Sequence, residues 1–108
     1  MSAGVDALFD AGLLCIVDAL RTRVRYRYVQ PVVMPATRGW RIVSPCCSRN
    51  VDPDGGVIDI AWFEPLAHGW RLHARDHARG RWVVHAEAAQ LADLLDAVRT
   101  DPTRVFWP

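Results

Sequence analysis

The apolar residues of this chain change their spacing after about residue 20, and this change sets the class of fold. Up to that point they recur at steps of three and four, which predicts an amphipathic helix over residues 4–21. Beyond it, short segments alternate apolar and polar residues, a spacing typical of strands with one buried face. Helical spacing returns later and predicts a second helix over residues 87–99, which Pro102 stops.

Five alternating segments lie between the two helices and are predicted to be strands. They span residues 23–28, 40–43, 58–62, 69–75 and 81–85. Pro31 and Pro35 end the first of them and favour an edge position, and the last two should form a hairpin. This order indicates an α+β fold, with an antiparallel sheet of about five strands and an N-terminal and a C-terminal helix. A chain of 108 residues is expected to form one such domain, over residues 1–108.

Composition and cysteine usage favour a cytoplasmic protein with no membrane partner. No apolar run approaches the roughly 20 residues that a membrane helix needs. The first residues carry Asp6 and Asp10 instead of the basic segment of a signal peptide. Three cysteines are an odd number and a poor disulfide framework, as expected where thiols stay reduced.

All thirteen basic residues are arginine. The codon bias of a GC-rich genome explains this, and so does selection for guanidinium groups, which bind anions in bidentate fashion. Arg23, Arg25 and Arg27 alternate with apolar residues, and Arg71 and Arg75 could continue the same surface. The pattern predicts an anion-binding face for nucleic acid or an acidic protein.

A solvated strand face is the alternative interpretation of these arginines. Asp59, Glu64 or Asp76 could neutralise part of their charge, and the net charge of +1 argues against strong nucleic-acid binding. On either interpretation the chain is predicted to be a small non-enzymatic binding or interaction domain. A structure would distinguish the two interpretations by showing whether the arginines converge on one surface.

The segment 44–56 is rich in Pro and Gly and holds a second group of candidate functional residues. They are Cys46, Cys47, Arg49, Asn50 and Asp52. The alternative function that follows is a thiol-redox or metal-binding protein. Adjacent cysteines lack the usual spacing of zinc and redox sites, and turn formation explains the aspartates. We therefore predict no metal, no cofactor and no catalytic residue, which favours a role other than an enzyme.

The five tryptophans exceed what a small core needs, so a homodimer is also possible from the sequence. Trp40, Trp62, Trp70 and Trp82 begin or continue apolar strand faces and are predicted to be largely buried. Two or more of them exposed together would mark an interface instead. The segment 105–107 is apolar and is expected to pack on the core.

Spaced pairs in the C-terminal half carry a family resemblance. They are Ile60-Ala61, Trp70-Arg71-Leu72, Arg75-Asp76, Arg81-Trp82, Asp101-Pro102 and Phe106-Trp107. With the leucine-rich helix between them, they resemble the bacterial family DUF3024, a domain of unknown function. The resemblance supports the strand order and implies no activity.

Overall fold

The computed structural model describes residues 3–24, 29–45 and 56–107. Two helices and five strands follow one another along the chain. They are α1 (Ala3–Leu20), β1 (Val32–Pro35), β2 (Trp40–Pro45), β3 (Val57–Leu66), β4 (Gly69–Asp76), β5 (Arg81–Ala88) and α2 (Leu91–Thr100).

The five strands form one sheet in the order β1-β2-β3-β4-β5, and each neighbouring pair is antiparallel. Each strand therefore pairs with its neighbours in the sequence, and the last two form the predicted hairpin. The predicted α+β fold, with an antiparallel sheet and one helix on either side of it in the sequence, is confirmed.

The two helices contact each other, and α2 also contacts β4 and β5. The core lies between the helices and one face of the sheet, which we call the inner face. Helix residues Ile16 and Leu20 meet Leu94, Leu95 and Val98 there, together with apolar strand residues. Their burial is the main stabilising contribution to a domain of this size. Within the described residues, no helix is long and apolar enough to cross a membrane.

The first strand differs from the prediction. Arg23 and Val24 belong to the turn after α1, residues 25–28 lie outside the described residues, and β1 is Val32–Pro35. The turn is fixed by hydrogen bonds: Val24 N donates to the Arg99 carbonyl at 2.8 Å, and Arg23 Nη1 donates to the Leu20 carbonyl at 2.6 Å. Pro35 ends a strand at the sheet edge, where a missing N–H removes no ladder bond.

The second helix begins later than predicted, because β5 continues through Glu87 to Ala88. Helix α2 ends at Thr100, and Asp101 caps it in the left-handed conformation with φ of 38°. The segment that follows packs on the core as expected, since Phe106 and Trp107 are each 1% exposed.

Of the four tryptophans predicted to be largely buried, Trp40 alone is, with 5% of its surface exposed. Trp70 is half-buried and lies beside Gly12 of α1, while Trp62 and Trp82 are half-buried elsewhere. The prediction is therefore confirmed for Trp40 and met only in part by the other three, which are partly buried. Trp62 and Trp82 lie on the face of the sheet opposite the core.

Candidate functional site

The face of the sheet opposite the core, here called the outer face, carries a continuous group of charged and aromatic side chains. Residues directly paired across antiparallel strands share a face. Arg41 pairs with Trp62 and Trp62 with His73; Glu64 pairs with Arg71 and Arg71 with Glu87. Arg75 pairs with Trp82 in the same way.

A β-bulge in β3 places Trp62 on the outer face. Ile42 pairs with Ala61 and Val43 with Asp59, so Ile60 is left over between them. An extra residue shifts the alternation of side chains by one position. Strict alternation over 58–62 predicts that Trp62 joins Ile60 in the core, and the bulge is the reason that it does not.

Glu64 is the centre of one cluster on the outer face, although only 7% of its surface is exposed. Its carboxylate lies 3.2 Å from Arg38 Nη1, 3.5 Å from Arg71 Nη1 and 3.0 Å from His73 Nε2. The hydrogen bond from His73 lowers the pKa of Glu64 most; the charges of Arg38, His73 and Arg71 also lower it, and burial opposes them.

Asp59 is the centre of a second cluster. Its carboxylate oxygens lie 3.5 Å from Arg41 Nε and 3.7 Å from Arg75 Nε. Arg75 also lies over the Trp82 ring, 5.2 Å from its centroid. One carboxylate is thus shared by two guanidinium groups, as in the Glu64 cluster.

The aromatic rings form a stack between these clusters. Trp62 and His73 are parallel within 15°, with centroids 4.0 Å apart, and Trp82 lies 6.0 Å from Trp62 at 60°. Trp62 Nε1 donates to the Arg38 carbonyl at 2.6 Å. The ring of Trp62 is therefore fixed from two sides.

Among the described residues, ion-paired arginines outnumber carboxylates on this side of the sheet. Arg38, Arg41, Arg71 and Arg75 face Asp59, Glu64 and Glu87. Four cations thus face three anions, an excess of one positive charge. Asp59 and Glu64 thus neutralise part of the arginine charge on the outer face, while Asp76 pairs with Arg79 and Arg81 at the β4–β5 turn.

The structure brings together two of the five arginines predicted to bind anions, Arg71 and Arg75. Arg23 is elsewhere: it is partly buried, lies 5.6 Å from the Trp107 ring centroid, and donates to the carbonyls of Leu20 and Val29. Burial lowers its pKa. Arg23 therefore joins the turn to the core and is not part of the outer face, which corrects the prediction for this residue.

The remaining predicted residues lie outside the described residues. They are Arg25, Arg27, Cys46, Cys47, Arg49, Asn50 and Asp52. In the ranges that are described, no group of three metal-ligating side chains comes together. The thiol or metal function of the cysteine segment stays a prediction.

Sequence reasoning missed Arg38, Arg41 and His73 as members of the site. Arg38 stands in the β1–β2 turn, so no strand pattern could assign it to a face. Arg41 and His73 alternate with buried neighbours in the sequence. Their pairing with Trp62 across strands, which places them in the site, is visible only in the structure.

One comparison with known proteins identifies the family. The family model DUF3024, a domain of unknown function, matches residues 14–108. The chain belongs to the DUF3024 family. The match covers most of the chain and so extends well beyond the C-terminal half that carries the resemblance in the sequence. Comparisons of this DUF3024 protein with curated proteins and with solved structures give no match.

The charge clusters predict that acid destabilises this DUF3024 domain. The pKa of Glu64 is lower in the folded protein than its ordinary value of 4.5. This carboxyl therefore stabilises the fold above pH 4.5, and its contribution is lost as the pH falls through its pKa in the folded protein. Burial and the charge of Arg75 lower the pKa of His77 from its ordinary 6.5. Protons therefore bind His77 more readily in the unfolded chain, so acidification also destabilises the fold through this residue, beginning at a higher pH than through Glu64. The urea midpoint should therefore fall on acidification.

The substitution Glu64→Gln separates the two contributions. The variant cannot titrate at residue 64, so its urea midpoint should change less than that of the wild type below about pH 4.5, the ordinary value of this carboxyl. At neutral pH it should be less stable, because Arg38 and Arg71 lose an anionic partner. Equal acid sensitivity of both proteins below that pH would contradict the assignment.

Proposed function

We propose that this DUF3024 protein is a small non-enzymatic binding domain that holds a polyanionic partner on its outer face. The observation that carries the proposal is the sharing of each central carboxylate by two arginines. Asp59 lies between Arg41 and Arg75, and Glu64 lies between Arg38 and Arg71. A guanidinium has five N–H donors, so one shared carboxylate leaves most of them for a phosphate or a carboxylate of the partner.

The same ion pairs lower the cost of binding. Ordering a long, free side chain costs about 0.5–1.5 kcal/mol on association. Arg71 is held by Glu64 and Glu87, and Arg75 is held by Asp59 and the Trp82 ring. These guanidinium groups are already positioned before a partner arrives. The buried Glu64 acts in this arrangement as a positioning residue.

The small excess of charge supports weak, salt-dependent association. With an excess of one positive charge on this face and +1 overall, we expect a dissociation constant of about 10⁻⁴–10⁻⁶ M, the range of sequence-independent binding to nucleic acid. We further infer a cytoplasmic location, which suits an odd number of cysteines. The proposed partner does not depend on the segment 46–55.

The test is a fluorescence-anisotropy titration of labelled single-stranded and duplex DNA at low and moderate salt. The double variant Arg38→Gln and Arg75→Gln should bind about tenfold more weakly and lower the log–log salt slope by about two, because two phosphates would no longer be neutralised by an arginine. Arg99→Gln is the matched control for a single charge. It pairs with Asp96 on α2 and should leave affinity within about twofold of the wild type.

Two results would contradict the proposal. One is absence of binding by the wild type to both probes at low salt. The other is an equal loss of affinity in Arg99→Gln and in the single variants Arg38→Gln and Arg75→Gln, because net charge alone would then account for binding.

A further inference from the structure

A groove of about 470 Å³ opens beside the arginines of the outer face. Its walls come from the β1–β2 turn and from strands β2, β3 and β5. The lining residues are Pro35, Ala36, Thr37, Arg41, Trp62 and Trp82. Sites for small organic groups have volumes of about 300–1,000 Å³ and combine apolar or aromatic walls with a few polar groups. This groove has that composition, with two indole rings and one guanidinium.

The two indoles are fixed before any ligand enters. Trp62 is stacked on His73 at 4.0 Å and donates its Nε1 hydrogen to the Arg38 carbonyl at 2.6 Å. Trp82 lies beneath the guanidinium of Arg75, and its ring is inclined by 60° to that of Trp62. Fixed, partly exposed aromatic rings are the usual platform for an unstacked nucleic-acid base, because every base offers a π face.

Arg41 supplies the cation in this groove. Its Nη2 lies 3.3 Å from Met34 Sδ and its Nε lies 3.5 Å from Asp59 Oδ1. In the part of the chain that the structure describes, this buried Nε has no hydrogen-bond partner of good geometry. An arginine beside a stacking platform can contact the edge of a base or the adjoining phosphate.

We propose that the groove takes one unstacked base of a single-stranded nucleic acid, whose phosphates contact Arg38 and Arg75 on either side. This inference rests on the proposed function and names its partner. In a duplex the bases are paired and stacked inside, so their faces are closed to Trp62 and Trp82. An acidic peptide would satisfy the arginines but would leave the aromatic groove without a matching planar group.

The experiment separates the contribution of the bases from that of the phosphates. Two labelled single strands of equal length are titrated by fluorescence anisotropy: a thymidine oligomer of about twelve nucleotides and an abasic oligomer with the same phosphates. The wild type should bind the thymidine oligomer about tenfold more tightly. The thymidine oligomer should also quench tryptophan fluorescence more than the abasic oligomer does at equal saturation.

Two variants locate the effect. Trp82→Leu removes a groove wall and should abolish the preference for the thymidine oligomer over the abasic one. Trp70→Leu is the matched control, because Trp70 lies beside Gly12 of α1 on the other side of the sheet. This control should keep the preference. If either variant fails to unfold cooperatively, the comparison of the two oligomers on the wild type decides alone.

Each outcome bears on one of the two proposals. Equal binding of both oligomers by the wild type overturns the base inference and leaves the polyanion function standing. Absence of binding to both oligomers and to duplex DNA overturns the polyanion function as well. Tighter binding of duplex DNA or of a labelled polyglutamate peptide than of the thymidine oligomer overturns the single-stranded partner.

Discussion

Replacing Asp101 by asparagine should lower the free energy of unfolding by about 3 kcal/mol, because a buried acceptor for several donors is lost. Asp101 is 1% exposed. Its carboxylate accepts hydrogen bonds from the backbone N–H groups of Val105, Phe106 and Trp107 at 2.8, 3.1 and 2.8 Å. These bonds hold the terminal segment against the core.

Asparagine isolates this effect from backbone strain. It keeps the side-chain volume and tolerates the left-handed conformation that Asp101 adopts at the end of α2. The asparagine amide keeps one acceptor oxygen. Its NH₂ group takes the place of the other carboxylate oxygen and would face backbone N–H groups that now donate hydrogen bonds to that oxygen. Buried donors left without a partner account for the expected loss.

Urea unfolding followed by tryptophan fluorescence measures the loss, and Asp96→Asn is the control. Asp96 is exposed and pairs with Arg99 at 3.2 Å, so its substitution should change stability by less than about 0.5 kcal/mol. Similar urea midpoints for the wild type and both variants would show that the terminal segment does not depend on the Asp101 carboxylate.

Replacing Gly39 by alanine should lower the free energy of unfolding by about 3–5 kcal/mol, at least as much as Asp101→Asn. The substitution combines backbone strain with a steric clash. Gly39 has φ of 85°, a conformation that side chains disfavour. A Cβ there would lie 2.0 Å from the Phe63 carbonyl oxygen and 2.7 Å from Pro65 Cδ. The variant must therefore move β3 away from the β1–β2 turn.

Gly80→Ala is the control for the strain alone. Gly80 has φ of 64°, and a Cβ added there would meet nothing within 4 Å. Its substitution should cost about 1 kcal/mol, the usual penalty for a left-handed residue with a side chain. Equal thermal shifts for Gly39→Ala and Gly80→Ala would contradict the close approach of β3 to Gly39.

The spacing of apolar residues along the sequence is sufficient to predict the class of fold. Helical spacing before residue 21 and alternation in four of the five strands correspond to elements of the structure. Gly39 and Gly69 each stand directly before a tryptophan at the start of a strand, and the two glycines share a steric constraint. At each glycine the backbone of a neighbouring strand leaves no room for a Cβ, with the nearest atoms being the carbonyl oxygens of Phe63 and Ala88.

The site was less predictable, because its membership depends on pairing between strands. Arg71 and Arg75 follow from alternation within β4. Trp62 does not, because the bulge at Ile60 shifts β3 by one residue, and a bulge leaves no mark in the composition of a strand. Arg23 has the spacing of a strand residue but takes a tertiary role, since α1 ends close by and supplies a carbonyl for it.

The strand order also bears on how the domain assembles. Each strand pairs with strands adjacent to it in the sequence, so the sheet can form by successive closure of short loops. Short loops lose little entropy on closure, and local pairing is associated with fast folding. Helices α1 and α2 come from distant parts of the chain and contact each other. The contact between α1 and α2 therefore closes the longest stretch of chain and has the largest loop-closure cost, while the sheet can form through local pairing.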